Sequence, residues 1–402
     1  MLRIVNAVTS PSPATSPTAS TSLTDLPIDN ADVAAWADWL RVIPLTDGHN
    51  DLPWEMRRVA DHDLDATPLD VDQPHLQTDL PRIHRGGLGA QFWSVYVSDT
   101  MSEGEAVAAT LQQIDFVHRM VARYPQRLTF TRTADEVRAA VDSGRLACLM
   151  GAEGGRQIGG SLAVLRMMAR LGVGYLTLTH NHSLDWADSA TDVAISGGLS
   201  PFGVEVVHEL NRLGVLVDLS HVADTTMHAA LDATVAPVIF SHSSARAVCD
   251  VERNVPDDVL ERLTGNGGVC MVTFVPEFIN PAVARWRTEA ADAALLAGIP
   301  LANHSDYVAF ARTYQQQHPK PIATIEDVVA HVEHVREVAG VAHLGVGGDY
   351  DGTDTFPRGM QDVGDYPRLF AALAERGWSA AELAGLAGAN VLRVLADAGP
   401  AA

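Results

Sequence analysis

Val42-Ile-Pro-Leu-Thr-Asp-Gly-His-Asn-Asp51 is a short apolar run that breaks off in a polar cluster. A doubly wound nucleotide-binding sheet would place a glycine-rich phosphate loop directly after such a first strand. Here the strand ends in Asp47-Gly-His-Asn-Asp51 instead. Runs of the same character recur at Leu88–Val97, Leu146–Gly154, Val173–Asn181, Val215–His221, Pro237–Ser243, Gly268–Val275 and Leu344–Asp351. Helical patterns lie between them, among them Glu105–Tyr124, Ser161–Leu171, Phe202–Leu213 and Ile325–Val338. Apolar strands that alternate with helices are parallel strands covered on both faces. Eight such units predict an α/β fold of the (β/α)8, TIM-like barrel type. Segment 276–324 is too long for a simple loop and reads as an insertion or lid before the last strand. Ser379–Ala396 reads as a C-terminal helical tail.

The chain has 402 residues, 47% of them apolar and 19% charged, enough to bury a core without staples. Residues 1–30 are rich in Ser, Thr and Pro and predict a disordered tail, leaving 31–402 as the barrel. The formal charge of −22 excludes the basic footprint of a nucleic-acid binder and argues against docking on an anionic membrane. No stretch approaches the ~20 apolar residues of a membrane span, and no apolar core of a secretory signal stands out. A cytoplasmic location is expected. Cys148, Cys249 and Cys270 are odd in number and form no C-x-x-C pair, so free buried thiols are expected. Among 28 basic residues there is a single lysine, Lys320.

A barrel carries its active site at the C-terminal ends of its strands. Those ends hold His49 and Asp51, then Glu153, His180 and His182, Asp218 and His221, His242, and Asp349 and Asp351. Residues i and i+2 of a strand point the same way, so His49 and Asp51 can reach one cation. Glu153 lies in Met150-Gly-Ala-Glu-Gly-Gly155, where glycines admit a ligand closely. His221 and His242 each close an apolar run. Singly, each of these is as readily a hydrogen-bonded core or loop residue. Jointly, two histidines, one H-x-D and one Glu on one rim are the ligand inventory of a two-metal hydrolase. Many binuclear barrels bridge their metals with a carboxylated lysine. Lys320 lies in Pro319-Lys-Pro321, outside every strand run, so another anion must bridge. Glu153 is the best-placed candidate.

From about residue 40 to 396 the sequence resembles the membrane (renal) dipeptidase family of zinc peptidases. The resemblance rests on Asp47-Gly-His-Asn-Asp-Leu-Pro53, Gln91-Phe-Trp-Ser-Val-Tyr-Val97, Gly151-Ala-Glu-Gly154 and Tyr175-Leu-Thr-Leu-Thr-His180. It continues through Gly198-Leu-Ser-Pro-Phe-Gly203, Asn211-Arg-Leu-Gly-Val215, Pro237-Val-Ile-Phe-Ser-His-Ser-Ser244, Arg253-Asn-Val-Pro-Asp-Asp258 and Gly347-Gly-Asp-Tyr-Asp-Gly352. It implies two zinc ions, one on His49 and Asp51, the other on His221 and His242, with Glu153 bridging. It further implies His180 against the substrate carbonyl or oxyanion, Arg253 on the substrate carboxylate, and Asp349 as proton shuttle. Asp218, His182 and Asp351 receive no role. Animal members pair a cysteine after the fourth strand with one after the second. His182 and Ser98 stand there, so no such disulfide is implied, and Ser183 replaces a usual Asn.

The expected activity is hydrolysis of dipeptides with free amino and carboxyl ends by a metal-bridging hydroxide. Tolerance of a D-residue at the C-terminal position and a homodimer are expected by resemblance only. Another binuclear barrel hydrolase (a lactonase, deacylase or phosphoesterase) is the alternative, because fold does not fix function. A non-catalytic barrel is the third reading, but every ligand position is filled.

Overall fold

A computed structural model describes residues 26–27, 29, 31–301 and 304–399. The tail expected over 1–30 lies almost wholly outside the described residues. The strands, in chain order, are β1 (Thr46–Asn50), β2 (Ala90–Ser94), β3 (Leu128–Phe130), β4 (Leu146–Glu153), β5 (Val173–Thr177), β6 (Leu216–Asp218), β7 (Ile239–Phe240), β8 (Val269–Val272) and β9 (Leu344–Val346). All pairings are parallel, and β1-β2-β4-β5-β6-β7-β8-β9 closes on itself through β9–β1. This is the eight-stranded TIM-like barrel the apolar runs predict.

The runs at Leu146, Val173 and Leu344 start where their strands do, whereas the first overshoots: Val42 caps the helix Val33–Arg41 instead of opening β1. One strand escapes the reading. β3 stands outside the ring and pairs with Leu146–Cys148, the first half of β4, whereas β5 pairs from Met150 onward. β3 is Leu-Thr-Phe with only Leu128 buried, so it offers no continuous apolar run to read.

Alternation along β4 separates two cores. Ala147 and Leu149 face the barrel interior with Phe92, Tyr175, Ile239 and Met271. Cys148, Met150 and Ala152 face outward into the layer beneath the helices. Gly151 continues the inward row, and a Cβ there would sit 1.9 Å from the Tyr175 ring. The glycine therefore lets Tyr175 lie across β4 as the floor beneath the polar strand ends.

The segment 276–324 contains the helices Pro276–Ile279, Pro281–Leu296 and His304–Gln317, an insertion before β9. The C-terminal tail is helical but interrupted: Ala380–Ala384, a π turn Gly385–Ala389, then Asn390–Asp397. At the π turn a Cβ on Gly388 would lie 2.0 Å from the Pro44 carbonyl oxygen, so the tail packs directly beneath β1. Val391, Leu392 and Val394 join the interior core and close the barrel's lower mouth. The three cysteines are buried and free. Among the described residues no helix is long and apolar enough to cross a membrane.

His331, on the helix Ile325–Val338, ties the insertion to the rim. Its Nδ1 accepts the Ala245 N–H at 3.0 Å and its Nε2 donates to the Ile279 carbonyl at 3.1 Å. Burial pushes its pKa down to about 4. A histidine lowered on folding binds fewer protons folded than unfolded, so its stability is present above its unfolded value near 6.5 and drains as pH falls toward 4. At ~1.4 kcal/mol per unit, about 3 kcal/mol is lost over that window. Thermal unfolding of His331→Gln should show a shallower fall in Tm between pH 6.5 and 4 than the parent. Superimposable pH profiles would remove His331 from this role.

Candidate active site

His49, Asp51, Glu153, His221, His242 and Asp349 converge above the Tyr175 floor, all but Asp349 at most 7% exposed. The Glu153 carboxylate stands between two groups. Its Oε2 lies 3.3 Å from His49 Nε2, which is itself 3.3 Å from Asp51 Oδ2 and 3.9 Å from Asp349 Oδ1. Its Oε1 lies 3.0 Å from His221 Nε2 and 3.4 Å from His242 Nε2. Ser94 Oγ donates to Oε2 at 3.0 Å and steadies the carboxylate. Three sets of ligand atoms each fall within 4.8 Å of one another: His49–Glu153–His242, Glu153–His180–His221 and His49–Asp51–Asp349.

The proton positions suit a cation. The Tyr175 hydroxyl donates to the Gly48 carbonyl at 3.2 Å, so at 2.8 Å it accepts from His49 Nδ1–H. That aims His49 Nε2, buried and without a hydrogen-bond partner among the described residues, at carboxylates. Burial opposes a charge on the ring, but Tyr175, Glu153 and Asp51 raise its pKa well above the ordinary histidine range, a pull on positive charge that a cation would answer. His221 and His242 point their Nε2 atoms at each other at 3.0 Å. Burial lowers both well below the ordinary histidine range, so they are neutral near pH 7, the form that ligates. Burial opposes ionisation of Glu153, but the surrounding His49, His221 and His242 hold it well below the usual carboxylate range. Lone pairs and anions gathered this closely are repulsive unless positive charge sits among them. The donor set of imidazoles and carboxylates fits a borderline metal such as zinc.

Two of these positions, and Asp351 beside them, strain the backbone. His221, Asp349 and Asp351 take φ of 70°, 62° and 63°, left-handed values unusual for residues with a side chain. Such conformations cost of order 1–3 kcal/mol each and persist where the surroundings over-determine them.

The remaining candidates divide. His180 sits at the rim, its ring 4.4 Å from that of His221 and its Nε2 4.0 Å from Glu153 Oε1. Arg253 is 5% exposed, and its guanidinium reaches only Ser243 Oγ and the His242 carbonyl, both at 3.3 Å, while lying over the Phe278 ring. Burial lowers it to about 10. Among the described residues no carboxylate pairs with it, an expensive state for a buried cation that an incoming anion relieves. Asp218 lies beneath the rim in a hydrogen-bonded network. Asp351 accepts from Gln77 N at 2.8 Å, bracing loop 73–79, and burial raises it to about 7. His182 turns outward, its side chain 57% exposed and 3.4 Å from Asp192.

Sequence reasoning missed Asp99, whose Oδ2 lies 2.5 Å from His180 Nδ1. It also assigned nothing to Tyr175, Ser94 or Ser241. Asp99 sits just past the second apolar run, and its position two residues after Val97 is the only sequence signal it offers.

The family model for membrane dipeptidase, peptidase family M19, matches residues 34–402. The chain belongs to the membrane dipeptidase family. It is 44% identical over 367 residues to an uncharacterised dipeptidase of Schizosaccharomyces pombe, covering 87% of this chain and 80% of that one. It is 40% identical over 365 residues to a dipeptidase of Aspergillus oryzae, covering 88% and 78%. Among solved structures, one described as a probable dipeptidase of Pseudomonas aeruginosa shares the fold with a TM-score of 0.81 at 23% identity, over 92% of this chain and 98% of that one. A Rhodobacter sphaeroides metallopeptidase liganded with a phosphinate mimic of L-Ala-D-Ala shares it with a TM-score of 0.74 at 23% identity, over 88% and 99%. As a membrane dipeptidase family member this chain is a hydrolase acting on dipeptides, and the clustered His, Asp and Glu side chains imply a metal cofactor.

Proposed function

We propose that the chain is a two-zinc dipeptidase that cleaves dipeptides carrying a free amine and a free carboxylate, with a D-residue tolerated at the carboxyl end. The observation that carries this reading is Glu153, whose two oxygens face separate groups of ligand atoms. His49 and Asp51 would hold one ion, His221 and His242 the other, and Glu153 would bridge. Bound there, a metal pair supplies an activated water and polarises the scissile carbonyl.

The protein's own groups do the rest. His180, its Nδ1 anchored on Asp99, presents Nε2 to the carbonyl oxygen and to the oxyanion that develops on it. Asp349 is raised well above the usual carboxylate range by burial and by neighbouring Asp51. In its ionised form a carboxylate so raised is a stronger base than usual: it can take a proton from the attacking water at its side-chain oxygen and, now a carboxylic acid, deliver it to the departing amine nitrogen. Arg253, buried and without a carboxylate partner among the described residues, receives the substrate carboxylate in its planar fork of donors. The D-tolerance draws support from the L-Ala-D-Ala mimic held by the Rhodobacter sphaeroides structure.

The test is hydrolysis of four matched substrates: L-Ala-D-Ala free, N-acetylated, C-amidated, and extended to a tripeptide. Only the free dipeptide should turn over. In Arg253→Met the KM for it should rise by ~10²-fold or more, since removing one partner of a buried charge pair costs ~2–5 kcal/mol. Equal cleavage of the blocked forms would discard the Arg253 assignment and put the wider class of binuclear hydrolases first.

A further inference from the structure

Asp218, Ser241 and His242 form a buried chain of hydrogen bonds whose polarity is readable atom by atom. Asp218 Oδ1 accepts two backbone N–H groups, Ser220 at 3.1 Å and Ser241 at 2.8 Å. Its Oδ2 accepts two hydroxyls, Thr177 at 2.5 Å and Ser241 at 2.6 Å. A serine hydroxyl has one proton, and Ser241 commits it to the carboxylate. Its oxygen, 2.8 Å from His242 Nδ1, is left with lone pairs on that side. The other acceptor near it, Ser220 Oγ, is distant at 3.5 Å. His242 must therefore carry its proton on Nδ1, and its Nε2 faces Glu153 and His221 bare.

We infer that Asp218 is a positioning residue that acts through Ser241 to hold His242 in the tautomer whose Nε2 can bind metal. The inference rests on the metal reading above and gives a role to a strand-end acid that had none. Partners of a ligating imidazole's second nitrogen commonly fix its tautomer and tune affinity. Here a hydroxyl stands between carboxylate and ring, so the carboxylate's polarity reaches the ring only through it. His49 is served similarly by Tyr175, whereas His221 Nδ1 has no hydrogen-bond partner among the described residues.

An isosteric change reverses the chain. In Asp218→Asn the amide oxygen must remain on the Ser220 and Ser241 N–H groups, which turns the NH2 toward Ser241 Oγ. Ser241 then accepts from the amide and donates to His242 Nδ1. The ring proton is driven to Nε2, where it blocks the ligand position. Removing the hydroxyl as well breaks the transmission, so Asp218→Asn loses its special effect in a Ser241→Ala background.

Zinc affinity of the full chain, measured by competition with a chromophoric chelator, tests this. Asp218→Asn should weaken one of two sites by ~10–100-fold, the usual cost of losing such a partner. Ser241→Ala should weaken it by a few fold, and the double variant should match Ser241→Ala. Histidine 15N NMR of the zinc-free chain should show His242 protonated on Nδ1 in the parent and on Nε2 in Asp218→Asn. Equal losses in Asp218→Asn and the double variant, or an unmoved tautomer, would overturn the inference. Should Asp218→Asn fail to fold, a Ser241→Ala chain with parental zinc affinity overturns it alone. A parent chain that binds fewer than two zinc ions would instead count against the metal reading, which keeps the two failures apart.

Discussion

Glu153→Gln should bind no more than one metal equivalent and hydrolyse free dipeptides more than ~10³-fold more slowly than the parent, several kcal/mol of transition-state stabilisation being lost with the metal pair. The substitution keeps size and shape but changes one oxygen to an NH2 group. That group cannot face a metal, and whichever way the amide turns it confronts either His49 Nε2 or the paired His221 and His242 Nε2 atoms. Ser94 can still donate to the remaining oxygen if that oxygen turns its way, so the strand end should survive. Metal analysis, kcat/KM and thermal unfolding on the same preparation separate these effects. A folded Glu153→Gln chain with two metal equivalents and near-parental turnover would sink the bridging assignment.

Asp349→Asn should behave differently. It should keep both metal equivalents and a near-parental KM while kcat falls by ~10²–10⁴-fold, the range of a positioned general acid–base group. Because the ionised form is the base, the parent's kcat should fall on the acid side as Asp349 is protonated, and that limb should be absent from Asp349→Asn. Geometry makes the experiment decisive, because Asp349 lies with His49 and Asp51 in a set whose ligand atoms fall within 4.8 Å of one another. If metal content drops along with kcat, Asp349 is a ligand and the proton shuttle must be sought elsewhere.

Most of this site was legible because a barrel writes its chemistry at strand ends. His49, Glu153, His221 and His242 each close an apolar run, and polar residues there are conspicuous against Val, Leu and Ile. The same rule misjudged His182: β5 ends at Thr177, so His180 and His182 both lie past the strand, and the loop turns the His182 side chain outward. Period-2 reasoning fails where the chain no longer extends. Asp99 was unreadable for a related reason. It reaches His180 from 81 positions away, from the loop after β2 to the loop after β5 with β4 between them, a contact set by the barrel's closure and not by local pattern. Tyr175 and Ser241 were passed over because each looks like an ordinary strand residue until its hydroxyl partner is known. The interruption of the C-terminal tail depends on the carbonyl of Pro44 lying against Gly388, a contact between opposite ends of the chain.

The left-handed backbone at His221, Asp349 and Asp351 bears on design. Side chains copied onto the rim of another eight-stranded barrel would arrive on ordinary extended or helical backbone and aim elsewhere. What can be transplanted is each strand end together with the turn after it and the neighbouring strand that holds the turn in place. An attempt to stabilise the scaffold by relaxing those positions would gain stability at the cost of aim. Sequence drift can therefore reshape the loops of this barrel more freely than it can these three turns.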